Sequence, residues 1–246
     1  GMTMSESEVD LSEYYSGGYL LIRAAESEWE TLRNDVRFPN KFISLSDCLS
    51  YKLDISWGWT PGNRQAALDF GIPETKLDEF VRWCGAEHEP DLAMWNMFYS
   101  TAAARRFIQR FLQDTRDLYL IGIGLHREIT LFDWRTGIND EKAYGIGQRL
   151  EQHLAIEEGG TPLGYEIASY DYYGSLSHSW LCGGLQNDMS KLFGIIPNQY
   201  GFIPSYAEAR QVYDWIEEDD MQGHRGEPEP YYPWLLIAYP LASNDD

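Results

Sequence analysis

The chain of 246 residues sets 39 Asp and Glu against 19 Lys and Arg, a net charge of −20, and combines 43% hydrophobic residues with 9 Trp, 17 Tyr and 10 Phe. That length and apolar content suffice to bury a large core, which excludes a disordered chain. The anionic field repels phosphate backbones and anionic lipid, so nucleic acid and membranes are disfavoured and a basic protein is the expected partner.

The cysteines, Cys48, Cys84 and Cys182, lie far apart and never form a Cys-x-x-Cys pair. This fits a reducing cytoplasm and excludes a disulfide framework or a zinc ribbon. No basic start followed by an apolar run suggests a signal peptide, and no apolar run approaches the ~18 residues of a membrane span. A cytoplasmic protein is expected, with no cofactor and no metal.

Residues 1–16 are polar and acidic and read as a disordered tail; 17–246 read as one domain with an internal seam at 114–117. A weak helical spacing of Trp29, Leu32 and Val36 stops at Pro39. The text WGWTPG, 57–62, is turn chemistry in which Pro61-Gly62 forces a reversal, and its tryptophans plug a core edge rather than stack on a sugar. Leu77, Phe80, Val81 and Cys84 recur at helical spacing after Pro73, with Gly85 as the C-terminal cap and Cys84 on the core stripe. A longer helix is predicted from Asp91 to Gln113, burying Met94, Met97, Phe98, Thr101, Ile108, Phe111 and Leu112 and leaving Arg105, Arg106 and Arg110 on a solvated face.

Past Asp114 the period changes. DLYLIGIGLH, 117–126, is a continuous apolar run of strand length and predicts a buried central strand. Gly122-x-Gly124 permits close packing there; neither it nor Gly145-x-Gly147 continues into a phosphate-binding loop. A helix from Lys142 to Ala155 and a Gly159-Gly160 turn lead to a strand over LGYEIASYD, 163–171. Ser177 opens a helix to Phe193, and Ser205-x-x-Glu208 has the capping-box spacing of another, striped by Ala209, Val212, Tyr213 and Ile216 and ended by acidic residues against its dipole. WLLIAYPL, 234–241, is the last strand. The expected fold class is α+β: a helix-rich N-terminal half, then a small sheet flanked by helices, in one compact domain.

One stretch, ASYDYYGSLSHSWLCGG at 168–184, concentrates reactive side chains. Four apart on a helix, His178 and Cys182 share a face, with Cβ atoms about 6 Å apart, and an imidazole so placed holds a cysteine as thiolate. That is the enzymatic alternative: a cysteine-dependent hydrolase or transferase using Cys182 and His178. Against it, no third orienting group is assignable, and a cysteine beside Leu181 and Leu185 is commonly a small buried hydrophobe. As metal ligands the pair is incomplete, because His126, His153 and His224 lack ligand spacing.

The segments LGYEIASYDYYGSLSHSWLCGGL, KLFGIIPNQYGFIPSYAEARQVYDWI and YYPWLLIAYPL, with DLYLIGIGLH before them, resemble a family of uncharacterised bacterial proteins associated with the immunity type, which bind and neutralise toxin domains. The resemblance covers the C-terminal part only and transfers no catalytic residue. It implies a cytoplasmic α+β protein that works by binding rather than by catalysis. The expected surface joins carboxylates that steer a basic partner to aromatic anchors: Tyr170, Tyr172 and Tyr173 in one loop, and Glu217, Glu218, Asp219, Asp220, Tyr231, Tyr232 and Trp234 near the C-terminus.

Overall fold

The computed structural model describes residues 9–26, 30, 32, 35, 37–58, 61–93, 96–131, 145–170, 176–182, 185–218 and 230–243. Its centre is one antiparallel sheet curled into a half-barrel. The strands are β1 (Tyr14–Glu26), β2 (Lys41–Phe42), β3 (Ser50–Lys52), β4 (Leu118–His126), β5 (Thr161–Tyr170), β6 (Leu176–Ser179) and β7 (Tyr231–Tyr239). They run in the order β2-β1-β4-β7-β5-β6, with β3 also paired to β1.

This corrects the expected helix-rich N-terminal half. The 13-residue β1 opens the sheet near the start of the chain, and Tyr14–Ser16, expected in a disordered tail, are its first residues. Burial on both faces hid it. Tyr19 and Leu21 pack into one core layer and Leu20 and Ile22 into the other, so YYSGGYLLIRAAE has no polar–apolar alternation to read. A register shift between Ser16 and Tyr19 breaks the strand further, with Gly18 at φ +96°.

The run DLYLIGIGLH does form a central strand: β4 pairs with β1 on one side and β7 on the other. A Cβ at Gly122 would sit 2.8 Å from the Tyr239 ring, so the glycine admits that neighbour. Because β1 and β4 pair across 114–117, one sheet spans the expected seam.

The helices are α1 (Pro61–Phe70), α2 (Leu77–Arg82), α3 (Thr101–Phe111), α4 (Gly145–Glu151), α5 (Leu185–Phe193) and α6 (Tyr206–Glu217). Pro61, read as a reversal, instead begins α1, where its fixed φ and missing N–H cost nothing. The stripe Leu77, Phe80, Cys84 is buried as predicted, but α2 runs on into a π turn over Trp83–Glu87, so Gly85 lies inside that turn rather than capping it. The helix predicted from Asp91 starts only at Thr101. Ser100 caps it by accepting from the Ala103 N–H at 3.0 Å, while Leu92 and Phe98 bridge to each other upstream.

The helix predicted from Ser177 starts at Leu185, because Leu176–Ser179 pair with β5 instead. The capping box of α6 forms as read, Ser205 Oγ accepting from the Glu208 N–H at 3.2 Å. One layer packs Phe80, Trp83, Phe107 and Phe111 on the sheet; the other face carries Met97, Ile146, Leu150 and Phe202.

Candidate functional site: a polar seam with two thiols at its rim

The segment from β2 to β3 crosses to the opposite end of the strand order, where it hydrogen-bonds to β5 and β6. Serines shape that crossing by standing in for backbone partners. Ser50 Oγ accepts from the Ser44 N–H at 3.1 Å and donates to the Ser44 carbonyl at 2.8 Å, and Ser44 Oγ accepts from the Ser46 N–H at 3.0 Å.

Glu166 of β5 lies wholly buried under the crossing. It accepts from Ser44 Oγ at 2.5 Å, the Leu45 N–H at 2.6 Å and Ser179 Oγ at 2.9 Å. Burial pushes its carboxyl up from the usual 4.5, outweighing those donors and the nearby Lys52 ammonium. The Lys52 amine, also buried, donates to the Leu45 carbonyl and to the Leu176 carbonyl of β6, and pairs at 3.0 Å with the exposed Asp47. A carboxyl, an ammonium and four serines thus tie the two ends of the half-barrel together.

Two sulfurs stand at the rim. Ser46 Oγ accepts from the Cys48 N–H at 3.2 Å, reaches the Ser177 carbonyl of β6 at 3.3 Å and lies 3.6 Å from Cys182 Sγ. Cys48 is exposed and Cys182 half-buried. A hydrogen bond from the Cys182 thiol, helped by Ser46 and the His178 imidazole, lowers Cys48 to about 6 against the opposing effect of burial. The same contact, then burial, pushes Cys182 far above the ordinary thiol range. Cys84, buried in the core, is raised to about 12 by burial.

The predicted Cys182–His178 dyad is therefore corrected in its geometry. His178 lies on β6 with its N–H donated to Ser169 Oγ at 3.0 Å, and Cys182 lies in the following turn with its N–H donated to the Ser179 carbonyl at 3.0 Å. The two do not share a helix face, because β6 pairs with β5 from Tyr170↔Leu176 to Ala168↔Ser179. The thiol that answers Cys182 is Cys48, which no local pattern marks.

Four of the expected aromatic anchors lie in the core: Tyr170, Tyr231, Tyr232 and Trp234 are at most 3% exposed. Alternate residues of β7 enter the two core layers, Tyr231 one and Tyr232 and Trp234 the other, so both faces of the strand are covered, and Trp234 Nε1 donates to the Ala168 carbonyl at 3.0 Å. Glu217 and Glu218 are exposed at the C-terminal end of α6. Tyr172, Tyr173, Asp219 and Asp220 lie outside the described residues.

A second polar cluster sits where β1, β4 and α6 meet. Tyr14 and Tyr165 join hydroxyls, Tyr206 donates to Glu128, Arg210 binds Glu128 at 2.7 Å, and the His126 ring stacks on Tyr206 with centroids 4.4 Å apart. An open cleft of about 240 Å³ adjoins it, lined by Val9, Pro162, Tyr165, Asn198, Tyr200 and Pro204 among others. Burial raises Tyr14 and Tyr165, and raises Tyr206 and Tyr213 to about 12. A phenol pKa raised above its ordinary 10 gives stability that is complete below pH 10 and is lost as pH climbs towards 12. In an alkaline titration, phenolate absorbance from these tyrosines should rise together with loss of near-ultraviolet circular dichroism; their ionisation at pH 10 in a chain of native dichroism would contradict this packing.

Among the described residues no helix is long and apolar enough to cross a membrane, and no three His, Cys, Asp or Glu side chains are grouped to hold a metal. Comparison of the chain with protein-family profiles, curated proteins and solved structures gives no match.

Proposed function

We propose that this chain is a cytoplasmic, non-enzymatic binding protein of the immunity type, which occupies a basic partner protein through its acidic outer face. The observation that carries this reading is the excess of 39 acidic over 19 basic residues, with Glu217 and Glu218 among the carboxylates exposed at the surface.

Among the described residues, several surface cations are answered within the molecule. Arg37, Lys41, Arg106, Arg110, Arg116 and Arg210 each meet a carboxylate at 2.6–2.9 Å. The excess of 39 acidic over 19 basic residues therefore sets the outward field, which steers a basic partner and repels nucleic acid and anionic lipid. With Tyr170, Tyr231, Tyr232 and Trp234 in the core, the carboxylates rather than these aromatics supply the recognition. The enzymatic alternative loses support because the Cys182 thiol is held protonated at neutral pH and shares no helix face with His178.

The test is capture from a lysate of the native host on the immobilised chain at low salt. A basic protein should be retained and then released by raised salt, since contacts between exposed charges are screened beyond ~8 Å at physiological ionic strength. Retention of no basic protein, or retention indifferent to salt, overturns the reading.

A further inference from the structure

The thiols at the rim of the seam have no part in binding through the acidic face. We propose that Cys48 and Cys182 form a redox-switchable crosslink across the seam of the half-barrel, in which Cys48 attacks a low-molecular-weight disulfide and Cys182 resolves the product.

Three geometric facts carry this. One hydroxyl, Ser46 Oγ, links the two cysteines: it accepts from the Cys48 backbone N–H at 3.2 Å and lies 3.6 Å from Cys182 Sγ. Cys48 is exposed, so a small disulfide can reach it, while Cys182 is half-buried behind it. The two sulfurs come from elements at opposite ends of the strand order, Cys48 from the β2–β3 crossing and Cys182 from the turn after β6. The backbone beneath is already fixed by Glu166 and Lys52, so the partners are held together before any bond forms.

The chemistry follows thiol–disulfide exchange. The Cys48 thiolate attacks one sulfur of R–S–S–R, forming a Cys48–S–S–R bond and expelling R–S⁻. The Cys182 thiol gives its proton to that leaving thiolate and attacks the Cys48 sulfur, forming the Cys48–Cys182 bond and expelling a second R–S⁻, which takes a proton from solvent. Two protein thiols are oxidised to one disulfide, and the small disulfide is reduced to two thiols.

The order of attack is built in. At about 6, Cys48 is mostly thiolate at neutral pH, whereas Cys182 stays protonated chiefly because it hydrogen-bonds to Cys48. Once Cys48 is capped, that restraint is gone and burial alone opposes loss of the Cys182 proton. At pH 7 Cys48 carries roughly 30-fold more thiolate than an unperturbed cysteine; its lower intrinsic nucleophilicity trims the gain in exchange rate to about two- to threefold.

The experiment incubates the full chain with oxidised glutathione at pH 7 and maps its cysteines by mass spectrometry after alkylation. The wild-type chain should yield a Cys48–Cys182 crosslink and leave Cys84 unmodified until the chain is unfolded. Cys182→Ser should trap a glutathione adduct on Cys48, because no second thiol remains to resolve it. Cys48→Ser should give no crosslink. Wild-type protein of native circular dichroism whose two thiols are modified independently, with no bond between them, overturns the proposal without any substitution. So does a Cys182→Ser chain of native dichroism that traps no adduct on Cys48.

Discussion

Replacing Glu166 by leucine should lower the stability of the chain by about 3–5 kcal/mol in urea unfolding. Leucine matches the volume but accepts nothing. It would leave Ser44 Oγ, the Leu45 N–H and Ser179 Oγ without their acceptor in a site closed to water. Glu166→Gln keeps one carbonyl acceptor and should cost less, about 1–3 kcal/mol.

The pH dependence has a definite sign. Burial raises the Glu166 carboxyl above its usual 4.5, so its stabilisation is greatest below that value and declines as pH rises. The deficit of the leucine variant should therefore be larger at pH 4 than at pH 7. A leucine variant within 1 kcal/mol of wild type across that range, by urea titration, would mean the seam does not hold the half-barrel closed.

Gly164→Ala should cost about as much, roughly 3–5 kcal/mol, for a different reason. Gly164 sits at a register shift in β5 with φ +128°, a conformation essentially confined to glycine. A Cβ there would come within 2.8 Å of Phe202 Cβ and 2.9 Å of the Ile203 carbonyl oxygen. Ile203 exchanges both backbone hydrogen bonds with Tyr165 at 2.9 Å, so neither neighbour can withdraw without breaking that bridge. Thermal unfolding measures the loss, and Gly159→Ala is its control. Gly159 also has positive φ, at +94°, but nothing lies within 4 Å of the added methyl, so only backbone strain of about 1–3 kcal/mol applies. Equal losses at the two sites would show that the Phe202 contact is not as close as described.

What the sequence disclosed, and what it withheld, has a physical pattern. Signals confined to a few neighbouring residues survived into the structure: the apolar run of β4, the capping box of α6, and the helical stripe that buries Cys84. Elements buried on both faces lost their signature. β1 shows no alternation for that reason, and β7 hides Tyr231, Tyr232 and Trp234 because alternate residues enter a core layer on each face of the sheet, where an acidic and aromatic text suggests a surface. The seam was invisible because its members are distant in the chain. Ser44 meets Glu166 from 122 positions away and Ser46 meets Cys182 from 136. Cys48 looked like an isolated thiol, and nothing beside it in the text announces its partner.

Steering by the acidic face makes the most direct claim about what this molecule does, and association kinetics test it. With the captured basic partner held fixed, the on-rate of the wild-type chain should fall at least ~10-fold between low and high salt, and Glu217→Lys/Glu218→Lys should slow it at low salt while leaving thermal unfolding nearly unchanged. An on-rate that is the same at both salt concentrations, and the same in the reversed variant, would contradict the account.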